Sequence, residues 1–274
     1  AELDSIVSTC KKLNINTVFF QVRPASDAFY KSDIFPWSKY LSGTQGISAD
    51  GGFDPLEYLL GLCKKQGISL HAWINPYRVC KVNELDMLSP DNPAKMHPEY
   101  TVTCSDGNVY YNPALADVRD LVTKGVTEIL ENYDVDGIHF DDYFYPENSD
   151  EVDDEIYNIY AQSTDNRLSK EEWRAQNVNS MIQKVYQAVH KNSKKILFGI
   201  SPQGNINNNM ALGADVKTWC ENKGYIDYIC PQIYFSLDNP ALTFEESLNE
   251  WLSLNLHKDL KLYVGLAGYK GGTE

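Results

Sequence analysis

The chain has 274 residues, 43% of them hydrophobic, which suits one large core and the usual size of a single α/β barrel. A formal net charge of −14 argues against a nucleic-acid partner held by a broad phosphate-neutralising surface. No apolar run is long enough to span a bilayer. No signal peptide is present, and Ala1 to Asp4 read as the start of a helix, as expected of a processed or trimmed form.

Residues 3–13 place Leu3, Ile6, Val7, Cys10 and Leu13 on one helical face. TVFFQVR (17–23) predicts a strand that ends at Pro24, followed by a long loop closed by Gly51 and Gly52. Asp54-Pro55 starts a helix, with Asp as cap and Pro in the first turn, and Gly67 ends it. Strand ISLHAWI (68–74) leads into another long loop, and Asn112-Pro113 opens a helix carrying Val118, Leu121, Val122, Val126, Ile129 and Leu130. Strand DGIHFDD (136–142) precedes a long loop and a helix near 169–191. Strand 195–201, a short helix around 214–223, strand 225–235, a helix near 243–255 and strand 261–267 complete the order.

Strands alternating with helices mark parallel βαβ units. Loops after strands are long and loops after helices short, as in a barrel whose functional loops share one end. A doubly wound sheet is the alternative, but the glycine-rich phosphate loop it would carry after an early strand is missing. The expectation is one (β/α)8 TIM-type barrel domain over residues 1–274, holding strands two to seven of eight.

The six cysteines show no CxxC and no zinc-ligand spacing. Cys10 and Cys63 fall on apolar stripes and read as buried thiols, while Cys80 and Cys104 share a loop, and the sequence leaves their pairing open. Of the eighteen tyrosines and five tryptophans, several lie in predicted loops: Trp37, Tyr40, Tyr77, Tyr110, Tyr111, Tyr143 and Tyr145. Such rings either pack on the apolar face of a sugar or fill ordinary loop contacts.

The strongest chemical signal is DGIHFDDYFYP (136–146). Alternation puts Ile138 and Phe140 toward the helices, and His139 and Asp141 toward the barrel interior, with Asp142 opening the loop. Carboxylates and an imidazole at a barrel mouth are costly unless they are used or mutually satisfied. Other strand ends add Gln21, Arg23 and Asp27; His71, Trp73, Asn75, Tyr77 and Arg78; Ser201 and Gln203; Gln232 and Tyr234; and Tyr269 and Lys270. With Tyr143, these make a ring of hydrogen-bonding and aromatic groups suited to a polyhydroxylated ligand. Any one of them is equally able to fill a layer of the barrel core.

FQVRPASDAFYKS, FDPLEYLLGLCKKQGISLHAWINPYRV, NPALADVRD and DGIHFDDYFYP together resemble glycosyl-hydrolase-like family 10 over nearly the whole chain. The resemblance implies a (β/α)8 barrel, extracytoplasmic or lipid-anchored in bacteria, that cuts glycan chains, including peptidoglycan strands stripped of their peptides. It places the family's fourth-strand carboxylates on Asp141 and Asp142. Its sugar-site positions fall on Arg23, Asp27, His71, Asn75, Arg78, His139 and Gln232. The Asn-rich stretch SPQGNINNN departs from the family's pattern.

Glycoside cleavage needs a proton donor and a second group at the oxocarbenium-like centre. The inward Asp141 is assigned as nucleophile or charge stabiliser and Asp142 as the acid, with Asp27, Glu147 and Asp238 in reserve. DGIHFDDY also resembles the DGxDxDxE strand of chitinase-type barrels, with His139 in place of the first Asp and Tyr143 in place of the acid. A metal-dependent hydrolase using His71, His139 and Asp141 is a competing reading, though no HxH pair occurs. A non-catalytic glycan-binding barrel is the other. The expectation is a monomeric glycoside hydrolase without metal or cofactor.

Overall fold

Apolar alternation and helix caps build the elements largely where they are expected in the computed structural model, which describes residues 2–146, 151–191 and 195–271. In chain order these are α1 (Glu2–Lys12), β1 (Thr17–Arg23), α2 (Lys39–Ser42), α3 (Pro55–Gln66), β2 (Ser69–Ile74), β3 (Arg78–Lys81), α4 (Pro93–Met96), β4 (Thr101–Thr103), β5 (Asn108–Tyr111) and α5 (Ala116–Asn132). Then follow β6 (Gly137–Phe140), α6 (Asp154–Ser163), α7 (Lys170–His190), β7 (Leu197–Ile200), α8 (Ile206–Ala211), α9 (Val216–Glu221), β8 (Tyr228–Ile229), α10 (Phe244–Leu252) and β9 (Lys261–Leu262). The caps of α3 are those the sequence offers. Asp54 accepts from the Glu57 amide at 3.0 Å, Pro55 opens α3, and Gly67 closes it at φ +66°. Ser169 and Thr243 form capping boxes with Glu172 and Glu246.

Six strands form one parallel sheet in the order β1-β2-β6-β7-β8-β9. Neighbours in the sheet are therefore neighbours along the chain. A doubly wound sheet reverses its order at a switch point, so that alternative is excluded. One face is apolar and fully buried: Leu70, Ala72, Ile74, Ile138, Phe140, Phe198 and Ile200. It packs beneath Leu56 and Leu59 of α3, Val118, Val122 and Val126 of α5, and Val178, Ile182 and Val185 of α7. Each such side chain contributes roughly 1.5–3 kcal/mol by leaving water. The opposite face carries Phe19, His71, Trp73, His139, Asp141 and Tyr228. No helix among the described residues is long and apolar enough to cross a membrane.

Several local features differ from the sequence reading. The loop after β2 folds into an antiparallel sheet, β3-β5-β4, because Asp106-Gly107 (Gly107 at φ +78°) turns one β-rich run onto another. Cys80 and Cys104 lie in this region, both as free thiols. The helix announced by Asn112-Pro113 starts later, since the Asn112 side chain takes the Ala114 amide at 3.0 Å in a turn of its own. The predicted strand 225–235 shortens to two residues, and Gln232 bridges onward to Gln203 and Gly265 beyond Pro231, which has no N–H to give a ladder. Strand 261–267 likewise shortens to Lys261–Leu262.

Candidate active site

Asp141 stands at the carboxyl end of β6 and is only 3% exposed. Its Oδ2 accepts a 3.0 Å hydrogen bond from the indole N–H of Trp73, on the neighbouring strand β2. Its Oδ1 receives a longer one, 3.4 Å, from the Tyr143 amide. Burial pushes the Asp141 pKa up to about 7, and the nearby Asp142 carboxylate adds to the rise. The Trp73 and Tyr143 bonds and the charge of Arg78 hold it back. Asp142 is steered separately: the Gln232 amide donates to its Oδ1 at 3.1 Å and to the Ser201 carbonyl at 2.8 Å. Two adjacent carboxylates are thus aimed by side chains from opposite flanks, β2 and the segment after β8.

The chain after Asp142 is fastened. The Tyr145 amide donates to the Leu212 carbonyl at 2.9 Å, and Arg174 lies 4.9 Å over the Tyr145 ring. Buried Asp153 accepts from Arg174 through Nε at 2.8 Å and Nη2 at 2.6 Å, a two-point clamp. Tyr143 stays 44% exposed at the mouth, with the Arg78 guanidinium 5.4 Å from its ring centre. Across the site, Tyr234 is 37% exposed and sets its ring edge-on to Tyr269 at 6.4 Å.

Below the carboxylates lies an aromatic floor. The Tyr228 hydroxyl is 2.9 Å from Nδ1 of His71 and 2.9 Å from Nδ1 of His139. Phe19 packs against both imidazoles, 5.2 and 4.5 Å between centroids. Burial lowers the His71 pKa to about 4, and burial with the neighbouring His71 lowers His139 to about 3. Both are uncharged at neutral pH.

The structure turns four predicted ligand contacts into internal ones. Arg23 was expected to face inward, but a β-bulge sets Arg23 opposite Ile74, on the helix side of the sheet. There it is 1% exposed, its guanidinium 4.4 Å from the Phe35 ring and close to Gly125 of α5. Asp27 is buried within its own loop against Ser38 and Gln45. Asn75 is buried and gives its carbonyl to the Arg78 amide at 3.1 Å. Tyr77 is wholly buried. Gln232 reaches the site, but its amide is committed to Asp142 and Ser201. Of the reserve acids, Asp238 accepts from its neighbour Ser236 on an exposed turn, and Glu147 lies outside the described residues. Among the described residues no three of His, Cys, Asp and Glu converge as a metal-binding group. His71, His139 and Asp141 share a face, but both Nδ1 atoms engage Tyr228. Tyr228 itself was missed. Its parity with Gln232 and Tyr234 along one run was the available signal.

The family model "Glycosyl hydrolase-like 10" matches residues 2–273. The chain belongs to this family. It is 34% identical over 289 residues to "Glycosyl hydrolase YngK" of Bacillus subtilis (strain 168), covering 98% of this chain and 56% of that protein. It is 34% identical over 287 residues to "Glycosyl hydrolase DigH" of Escherichia coli (strain K12), covering 96% of this chain and 64% of that protein. The glycosyl hydrolase-like 10 chain thus spans between half and two thirds of these relatives. In fold it is similar to the glycoside hydrolase domain of PgaB (BpsB) from Bordetella bronchiseptica, with a TM-score of 0.64 at 11% identity over 92% of this chain and 73% of that one. It also resembles α-L-fucosidase isoenzyme 2 from Paenibacillus thiaminolyticus, with a TM-score of 0.52 at 12% identity over 97% and 42% of the two chains.

Proposed function

We propose that this chain is the catalytic domain of a glycoside hydrolase cleaving O-glycosidic bonds, with Asp141 and Asp142 as its working carboxylates. The observation that carries this reading is the buried, indole-bonded Asp141 whose pKa is held near 7 beside a second carboxylate. A general acid works best when its pKa lies near the operating pH, and pairing two carboxylates in unlike surroundings divides the roles. Strand alternation alone suggested Asp141 as nucleophile or charge stabiliser. The burial of Asp141 favours the reverse: Asp141 gives its proton to the departing glycosidic oxygen as the C–O bond breaks. Asp142, aimed by Gln232, then meets the oxocarbenium-like centre, directly or through water.

Peptide-free peptidoglycan strands are the substrate we favour. Every second sugar of such a strand carries a carboxylate, and Arg78 over Tyr143 sets a cation and an aromatic face side by side at the mouth. Tyr143 and Tyr234 offer further faces for sugar rings. In this reading the six strands are strands two to seven of an eight-stranded (β/α)8 barrel. The domain acts outside the cytoplasm, secreted or lipid-anchored, as a monomer without metal or cofactor.

Product analysis after incubation with purified peptide-free strands tests the activity. Asp141→Asn keeps the size of the side chain and one of its two accepted N–H bonds but removes the transferable proton, so turnover of natural glycan should fall by about a thousandfold or more. A loss within about tenfold, roughly 1.4 kcal/mol in the barrier, removes Asp141 from the mechanism. Aryl glycosides decide the roles, because a phenolate leaves without protonation. Asp141→Asn should retain far more activity on them than on strands. The same rescue in Asp142→Asn would exchange the two assignments.

A further inference from the structure

Tyr228 bridges two imidazoles with one hydroxyl, 2.9 Å from Nδ1 of His71 and 2.9 Å from Nδ1 of His139. A phenol has a single proton to give and lone pairs to accept with. If both Nδ1 atoms were bare, one contact would set lone pair against lone pair. If both carried hydrogen, the phenol proton would have no partner in the bridge. Only opposite tautomers satisfy both contacts and also pair the phenol proton within the bridge. One imidazole is then protonated at Nδ1 and bare at Nε2, and the other is the converse.

The surrounding structure holds this arrangement in place. A Cβ at Gly137 would come 2.5 Å from Nδ1 of His71, and one at Gly199 would come 2.1 Å from Cζ of Tyr228, so both glycines leave the room the rings occupy. The His139 and Tyr228 rings stack 14° from parallel, and Phe19 closes over both imidazoles. His139 is two residues before Asp141 on the same face of β6, about 6.6 Å deeper at strand spacing. The ionisable groups acting on the bridge are Asp136, Asp227, Cys230 and Tyr263. Tyr263 presents its ring edge to Tyr228 at 5.7 Å.

The geometry points to Tyr228 as a positioning residue that locks His71 and His139 into opposite tautomers, giving the floor beneath Asp141 one Nε2 donor and one Nε2 acceptor. A sugar hydroxyl donates and accepts at once, so it complements such a pair. The ligand half of this inference rests on the glycan reading above, while the tautomer half does not.

Long-range ¹H–¹⁵N NMR of the labelled protein at pH 7 tests it. The chain has five histidines, and single substitutions at the other three assign the spectrum. The expected wild-type result is one Nδ1–H and one Nε2–H imidazole in the pair. Two identical tautomers in the wild-type protein would overturn the proposal. In Tyr228→Phe the Nδ1–H imidazole should shift toward the Nε2–H form, and an unchanged pair would equally overturn it. On glycan strands Tyr228→Phe should raise KM about tenfold and change kcat less. A KM unchanged while the tautomers redistribute removes the ligand role. If the wild type cleaves no glycan, the glycoside hydrolase reading fails and the spectrum still decides the lock.

Discussion

Replacing Trp73 by Phe keeps an aromatic ring between β2 and β6 and deletes the N–H that reaches Asp141 Oδ2 at 3.0 Å. That bond favours the ionised carboxylate, and so opposes the burial that raises the Asp141 pKa to about 7. Hydrogen bonds to a charged group contribute about 1.5–3 kcal/mol, and one pKa unit corresponds to about 1.4 kcal/mol. Losing the indole should therefore move the Asp141 pKa upward by about one to two units. If Asp141 is the proton donor, its deprotonation sets the alkaline limb of the pH–rate profile, and the limb should move to higher pH by that amount. The assay is kcat/KM on glycan strands between pH 5 and 10, wild type against Trp73→Phe. A limb that stays put, or moves to lower pH, refutes either the donor role of Asp141 or the energetic part given to the indole.

Asp141 also leaves a mark on stability. Its folded pKa lies above its unfolded one, so its contribution is fully present below the unfolded carboxylate range near pH 4 and is lost as pH rises through about 7. Asp141→Asn should therefore raise the unfolding free energy at pH 8, by a few kcal/mol at most and with it Tm, and raise it less at pH 4; calorimetry at the two pH values checks this. Arg78→Gln should raise KM about tenfold for carboxylate-bearing strands and leave it within about twofold for neutral chitin oligosaccharides, as parallel assays would show. Gly199→Ala pushes a methyl group into the Tyr228 ring and should cost about 1–3 kcal/mol, measured as a fall in denaturant midpoint.

Strand alternation made much of this architecture legible. DGIHFDD announced an apolar face for the helices and a polar face holding His139 and Asp141, and both faces are found as expected. Asp54-Pro55 announced a helix start because a cap is a local hydrogen bond, readable from neighbouring residues. What escaped were non-local or one-residue effects. A single bulged position in β1 inverts the facing of Arg23, and no pattern of period two contains that information. Asn75 and Tyr77 follow directly on β2, yet the turn that the Asn75 side chain makes with the Arg78 amide draws them under cover. The small antiparallel sheet was signalled by Asp106-Gly107, but its strands of three and four residues are too short for periodicity to stand out. The division of labour between Asp141 and Asp142 depends on an indole from one strand and an amide from another, partners 68 and 90 residues away along the chain.

The sequential order of the six parallel strands also bears on how the protein is made. Each strand docks on the one before it, so no pairing among them waits for a distant segment to emerge. A βα unit leaving the ribosome finds its partner already synthesised, and loop closure is paid in small instalments. The carboxylates of β6 are framed early on one side by Trp73 and only later on the other by Gln232. Once β6 has left the ribosome the indole partner of Asp141 is already made, while the amide partner of Asp142 is still to come, 90 residues further along the chain.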